Sequence, residues 1–189
     1  MLRDLILNNR SYRRFDARVA IDLQTLRNLV DLARLSASTR NIQPLKYILS
    51  CDTDKNTLIF PHLKFAGHLS NWSGPSESEK PTAYIIILGD KQVDDSFSVD
   101  HGIAAQSILL GATELGLGGC MMGGMDKDGL RQALNVPERF EILLVIALGK
   151  PNEKVVLETV KPGGDTFYWR DEKEWHHVPK RPLHEIIIE

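Results

Sequence analysis

Four short stretches of the chain carry residue types able to hold an anionic or heterocyclic ligand. The first is Arg10-Ser11-Tyr12-Arg13-Arg14-Phe15. A guanidinium is a planar fork that offers phosphate or carboxylate paired, charge-assisted hydrogen bonds, and Ser11 adds a hydroxyl donor. The spacing of Arg10 and Arg13 lets both face one anion if the backbone is helical or turning. The same run would also make a solvated basic helix end. The second stretch is Ser38-Thr39-Arg40-Asn41-Ile42-Gln43-Pro44. Its hydroxyls are donors, and Asn41 presents a donor and an acceptor to the edge of a heterocycle. Asn and Pro are equally at home in a loop that ends a helix.

The third stretch, Leu117–Met125, contains Gly118, Gly119, Gly123 and Gly124. Glycine lets a ligand approach the backbone and leaves N–H groups free for acceptors, although a plain flexible connection would use the same residues. The fourth is Val178-Pro179-Lys180-Arg181-Pro182-Leu183. Two adjacent cations set between prolines could complete an anion site or belong to a charged tail.

Familiar catalytic signatures are missing. The glycine cluster lacks the third glycine of the dinucleotide fingerprint and follows an expected helix, whereas the fingerprint joins a strand to a helix. No phosphate loop, HExxH, CxxC or nucleophile-elbow sequence occurs. His176 and His177 would point apart on a strand, so no metal site is expected. An enzyme of this kind draws its chemistry from a bound cofactor. With Lys+Arg 23 against Asp+Glu 25, the formal charge of −2 gives no basic field for non-specific nucleic-acid binding. The apolar runs Tyr84–Leu88 and Ile142–Leu148 are far below the ~20 residues of a membrane span. No secretory h-region opens the chain, and Cys51 and Cys120 are too few for a disulfide framework. A cytoplasmic protein with reduced thiols is expected.

The elements that must position these stretches are read from periodicity and caps. Leu2, Leu5 and Ile6 open a short amphipathic helix, and Asp22 caps a second through Leu23, Leu26, Val30 and Ala33. Tyr47–Cys51 and Thr57–Phe60 are expected as strands around the turn Asp52–Asn56. Pro61–Pro81 is irregular and holds His62, His68 and Trp72. Thr82–Leu88 suits a strand covered on both faces. A long helix follows from about Phe97 to Leu115, a short one near Gly129–Leu134 after the cap Asp126, and then a strand Phe140–Leu148 stopped by Gly149-Lys150-Pro151. Asn152–Arg181 reads as an extended arm and Ile186–Ile188 as a last short strand. The whole is α+β, a central mixed or antiparallel sheet flanked by helices, in a single domain over 1–189. Phe167, Tyr168, Trp169 and Trp175 give the arm much apolar area, which needs either a partner surface or a fold back onto its own domain.

In order and spacing, these stretches resemble the nitroreductase family of FMN-dependent oxidoreductases. The resemblance runs from Arg10-Ser11-x-Arg13 through Asn41-x-Gln43-Pro44, Asp100-x-Gly102-Ile103-Ala104-Ala105-Gln106, Leu115-Gly116-Leu117-Gly118 and Gly149-x-Pro151 to Pro182-Leu183-x-Glu185-Ile186. It implies an α+β homodimer with two FMN molecules in the subunit interface. By the same resemblance, Arg10 and Ser11 hold the phosphate and ribityl end and Arg13 the N1/O2 edge of the flavin. Ser38, Thr39 and Asn41 reach the cofactor from the partner subunit. Backbone N–H groups of Gly123 and Gly124 approach N5 and O4, and Lys180 with Arg181 completes the phosphate grip. The chain departs from the family pattern at Asn9, Ala37, Leu45 and Lys180, where Arg, Pro, Trp and Arg are common.

The implied activity is ping-pong hydride transfer from NADH or NADPH, through flavin N5, to a nitroaromatic, quinone or similar small-molecule acceptor. No side-chain acid or nucleophile is required. Cys120 reads as a small buried residue, Met121 and Met122 as core or pocket wall, and Trp72 as a stacking platform for a planar substrate or a buried structural ring. Relatives of the same fold destroy flavin or dehalogenate. A flavin-binding sensor or interaction dimer without catalysis is the other class of reading.

Overall fold

The eight residues Ala83–Asp90 (β3) are all buried in the structure, a computed structural model that describes residues 1–69 and 71–188. An apolar run without alternation needs cover on both sides, and strand geometry divides it. Ile85 and Ile87 enter one core, while Tyr84, Ile86 and Leu88 enter another on the opposite face. Leu45–Ser50 (β2) pairs antiparallel along one edge of β3, and Phe140–Pro151 (β5) along the other. The far edge of β5 takes Gly118–Met122 (β4) and Phe15–Asp16 (β1), both antiparallel.

Helices cover both faces. Leu23–Leu35 (α2) and Asp100–Glu114 (α4) close the first core, and Asp22 accepts the Thr25 N–H as the cap of α2. The two helices approach closely at Gly111, where a Cβ would lie 2.3 Å from Leu32 Cδ1. Leu2–Asn8 (α1) packs against α4 and buries none of its own residues. Thr53–Ile59 (α3) and Lys127–Ala133 (α5) lie over the second core through Ile59 and Leu130.

Four expectations from the sequence are corrected. Thr57–Phe60 is not a strand: it lies in α3 and the turn after it, because Asp52 caps the Lys55 N–H at 3.0 Å and starts a helix. The long helix begins at Asp100 and not Phe97, since Ser98 has a left-handed φ of 42°. Gly149-Lys150-Pro151 does not stop β5. It extends the strand, Gly149 pairing with Gly118 and the next two residues with β1. Phe15 packs closely against Gly149, where a Cβ would meet its Cδ1 at 2.7 Å. Ile186–Ile188 forms no strand; Pro182 leads into a 3₁₀ turn at Leu183–Glu185.

The arm folds back on its own chain over much of its length. Val155–Thr159 (β6) pairs parallel with His176–Lys180 (β8), and Trp169–Arg170 (β7) pairs antiparallel with β8. Phe167 and Trp169 nevertheless stay about half exposed.

Candidate functional site

The loop after α1 meets β8 at a cleft of about 180 Å³, lined by Asn9, Arg10, Ser11, Arg13, Tyr168, His176, Val178 and Lys180. Three cations and a hydroxyl thus converge with no carboxylate in the lining. The loop is held there by β4: Ser11 bridges Gly119, and the Tyr12 N–H donates to Gly119 O at 3.0 Å. Gly118 and Gly119 serve this packing. A Cβ at Gly119 would lie 2.6 Å from Ala147 O, and one at Gly118 would lie 2.4 Å from the Tyr12 ring.

Gly123 and Gly124, past the end of β4, stand in open space. A Cβ at Gly123 would meet nothing within 4 Å, and one at Gly124 only Lys64 Cβ at 3.7 Å. Gly124 O accepts the Lys64 N–H at 3.0 Å, which ties this turn to the segment before it. The two Gly-Gly pairs, alike in sequence, therefore differ in role.

Lys180 and Arg181 part where β8 ends. His176, Val178 and Lys180 share the cleft-facing side of β8. Arg181 lies past the end of β8, with Nη1 3.4 Å from Glu185 Oε2, and does not line the cleft. The same alternation could have picked out His176 from the sequence.

Arg13 is fixed from several directions. Its Nη1 donates to Ser11 O at 3.2 Å and lies 3.2 Å from His176 Nε2, while the Tyr168 ring covers the guanidinium at 4.7 Å. The Arg13 backbone N–H donates to Glu153, as does that of Arg14 at 3.2 Å. Glu153 carries no motif signal, because its partners are distant in sequence. Arg10 donates Nη2 to Ile6 O at 2.6 Å; its Nε is buried without a partner among the described residues, and burial lowers its pKa. Burial, followed by the charges of Arg13, Arg170 and His177, pushes His176 down to about 4. Burial also raises the Cys120 thiol, which suits the inert small residue expected of it.

Arg14 points elsewhere, pairing with Glu174 at 2.9 Å. Trp72 stacks under the guanidiniums of Arg14, 5.7 Å from its ring centroid, and Arg170 at 4.3 Å. The ring is therefore engaged by protein cations, as in the structural reading of this residue.

Ser38, Thr39 and Asn41 lie outside the Arg10–Lys180 cleft. Ser38 Oγ donates to Asp100 Oδ2 at 2.5 Å, and Thr39 donates its N–H and Oγ1 to Oδ1 at 2.9 and 2.8 Å. Burial opposes the charge on Asp100, but these hydrogen bonds outweigh it and lower the pKa. Arg40, Asn41 and Gln43 all adopt left-handed φ, between 51° and 57°. Such backbone is costly outside glycine and gathers at ligand clamps. Ser38, Gln43, Tyr47 and Asp100 border a separate cavity of about 220 Å³. Among the described residues, no cluster of His, Cys, Asp and Glu is placed to hold a metal, and no helix is long and apolar enough to cross a membrane.

Comparison with known proteins agrees with this architecture. Residues 79–150 match the model of the nitroreductase family. The chain is 27% identical over 161 residues to the NADPH-flavin oxidoreductase of Vibrio harveyi, a match covering 79% of this chain and 65% of that protein. The chain thus spans just under two thirds of that relative. Among solved structures, the nitroreductase family protein of Streptococcus pneumoniae TIGR4 superposes with a TM-score of 0.73 at 17% identity, covering 100% of both chains. The FMN-dependent nitroreductase of Clostridium difficile R20291 gives 0.65 at 23%, covering 79% of this chain and 87% of that one. The fold is the nitroreductase fold, and the resemblance read from the sequence stands.

Proposed function

We propose that this nitroreductase-like chain is an FMN-dependent oxidoreductase, one domain over 1–189, working as a cytoplasmic homodimer. One observation carries the reading: three cations from the two ends of the chain line one cleft without a carboxylate, and a buried Arg10 Nε there lacks an acceptor. An unpaired buried donor beside that much positive charge calls for an anion. Arg10, Ser11 and Lys180 fit a phosphate monoester, Lys180 as a point charge and Arg10 as a fork. Arg13 fits the electron-rich pyrimidine edge of the isoalloxazine, where a fixed cation favours the negative charge that develops on reduction.

Bound FMN would supply hydride acceptance from NADH or NADPH and delivery to a nitroaromatic, quinone or related acceptor, each reactant taking its turn at the site. Arg13 and the backbone at Gly123 and Gly124 would orient the ring, and no side chain is needed to carry the hydride.

The cleft is smaller than the ~300–1,000 Å³ usual for ligand sites, which supports a site completed by a second subunit. Ser38, Thr39 and Asn41 of the partner copy would supply that wall. Val99 at the start of α4 and Leu2 and Ile6 on α1 are exposed and apolar, as a contact between copies requires. The absorption spectrum and solution mass of the purified protein test this directly. A yellow dimer that consumes NADH or NADPH with a quinone is expected, and Val99→Lys should give a monomer with weakened FMN binding. Colourless protein that leaves FMN fluorescence unquenched would overturn the flavin reading. A yellow dimer without turnover would make it a binding protein.

A further inference from the structure

His176 belongs to none of the stretches that carry the flavin reading, yet it stands at their centre. It is 1% exposed and shares the cleft side of β8 with Lys180. A guanidinium can only donate, so the Arg13 Nη1 at 3.2 Å requires a lone pair on His176 Nε2. The imidazole is then neutral and carries its proton on Nδ1. Nδ1 is buried without a partner among the described residues. An apolar side chain would avoid that unpaired donor, so packing alone does not account for a histidine. On the other side of the contact, the Tyr168 ring covers Arg13 and lies tilted against His176 at 5.1 Å.

We propose that His176 is a positioning residue: its Nε2 accepts the Arg13 Nη1–H and sets the direction in which the remaining guanidinium donors face the cleft. What Arg13 acts on rests on the flavin reading; the contact itself does not. Tyr168 limits tilting of the guanidinium plane, and Ser11 O shares the bonded Nη1. Together they would hold a flexible arginine ready before a ligand arrives, which lowers the ordering cost of binding.

FMN affinity, read by fluorescence quenching, is measured for wild type, His176→Gln, His176→Leu, Arg13→Ala and the double variant Arg13→Ala/His176→Leu. Glutamine offers an oxygen in place of Nε2 and should keep the affinity within about twofold. Leucine removes the acceptor and should weaken it roughly tenfold. The double variant should bind no worse than Arg13→Ala, because both changes delete one interaction. Wild-type affinity in His176→Leu, or additive losses, would overturn the proposal. If wild type binds no FMN, the flavin reading fails and nitrogen-15 NMR of the ligand-free chain decides the contact, as it does if His176→Leu does not fold. A neutral Nδ1–H imidazole near neutral pH, perturbed by Arg13→Ala, is expected. An imidazolium or an Nε2–H tautomer refutes it.

Discussion

Glu153 and Arg170 form an ion pair at 3.1 Å, with side chains only 1% and 8% exposed. The same carboxylate accepts the backbone N–H groups of Arg13 and Arg14. One buried anion therefore ties the first basic motif to the tail that carries Lys180. Removing it leaves Arg170 buried and uncompensated, and two backbone donors unpaired. Glu153→Ala should destabilise the protein by about 3 kcal/mol or more, and Glu153→Gln by less because its oxygen still accepts. Urea unfolding of the two variants measures the difference.

Lys180 and Arg181 are adjacent cations with separate surroundings. Lys180→Ala should weaken FMN binding roughly tenfold, as expected for one hydrogen bond to a charged group. Arg181→Ala, whose partner is Glu185, should leave it within twofold or so. Equal losses in the two titrations would mean that both reach the phosphate.

The two glycine pairs should respond oppositely to a methyl group. Gly119→Ala meets backbone at Ala147 O and should cost about 1–3 kcal/mol of stability. Gly123→Ala meets nothing in its own chain. It should melt like wild type and show its effect only in FMN binding or reduction. A stable Gly119→Ala protein would show that β4 can shift away from β5.

His176 and His177 should give the stability–pH curve opposite limbs. His176 is held near 4, below its unfolded value of ~6.5, so the unfolded chain binds more protons between those values. Stability from this residue is lost as the pH falls through that window. Burial works against charge on His177, but Glu158 at 2.6 Å and Asp171 at 3.3 Å outweigh it and raise the pKa. Its contribution is full below ~6.5 and lost as the pH rises through the folded value. His177→Gln should therefore flatten the alkaline limb, and His176→Gln the acid one, in urea midpoints taken across the range.

Much of the scaffold could be read from neighbouring residues, because its causes are local. The unbroken apolar run of β3 and the Asp22 and Asp126 caps each act within a few positions. Where local preference met a stronger neighbour the reading failed. The β-branched look of Thr57–Phe60 yields to the Asp52 cap, and the turn signal at Gly149-Pro151 yields to a waiting strand partner in β1. The fold of the arm is not legible in neighbouring residues, because its strands find partners only within the folded tail.

For the site, the sequence by itself determined the chemistry available: arginines, a serine and a lysine suited to a phosphate. Only the tertiary structure decided which of them share a cleft. It chose Lys180 over Arg181 and brought in His176, Tyr168 and Glu153. It set Ser38, Thr39 and Asn41 on a different surface. The physical reason is that charge and hydrogen-bonding capacity belong to single residues. Burial, facing direction and long-range pairing arise only when strands far apart in the chain come into register.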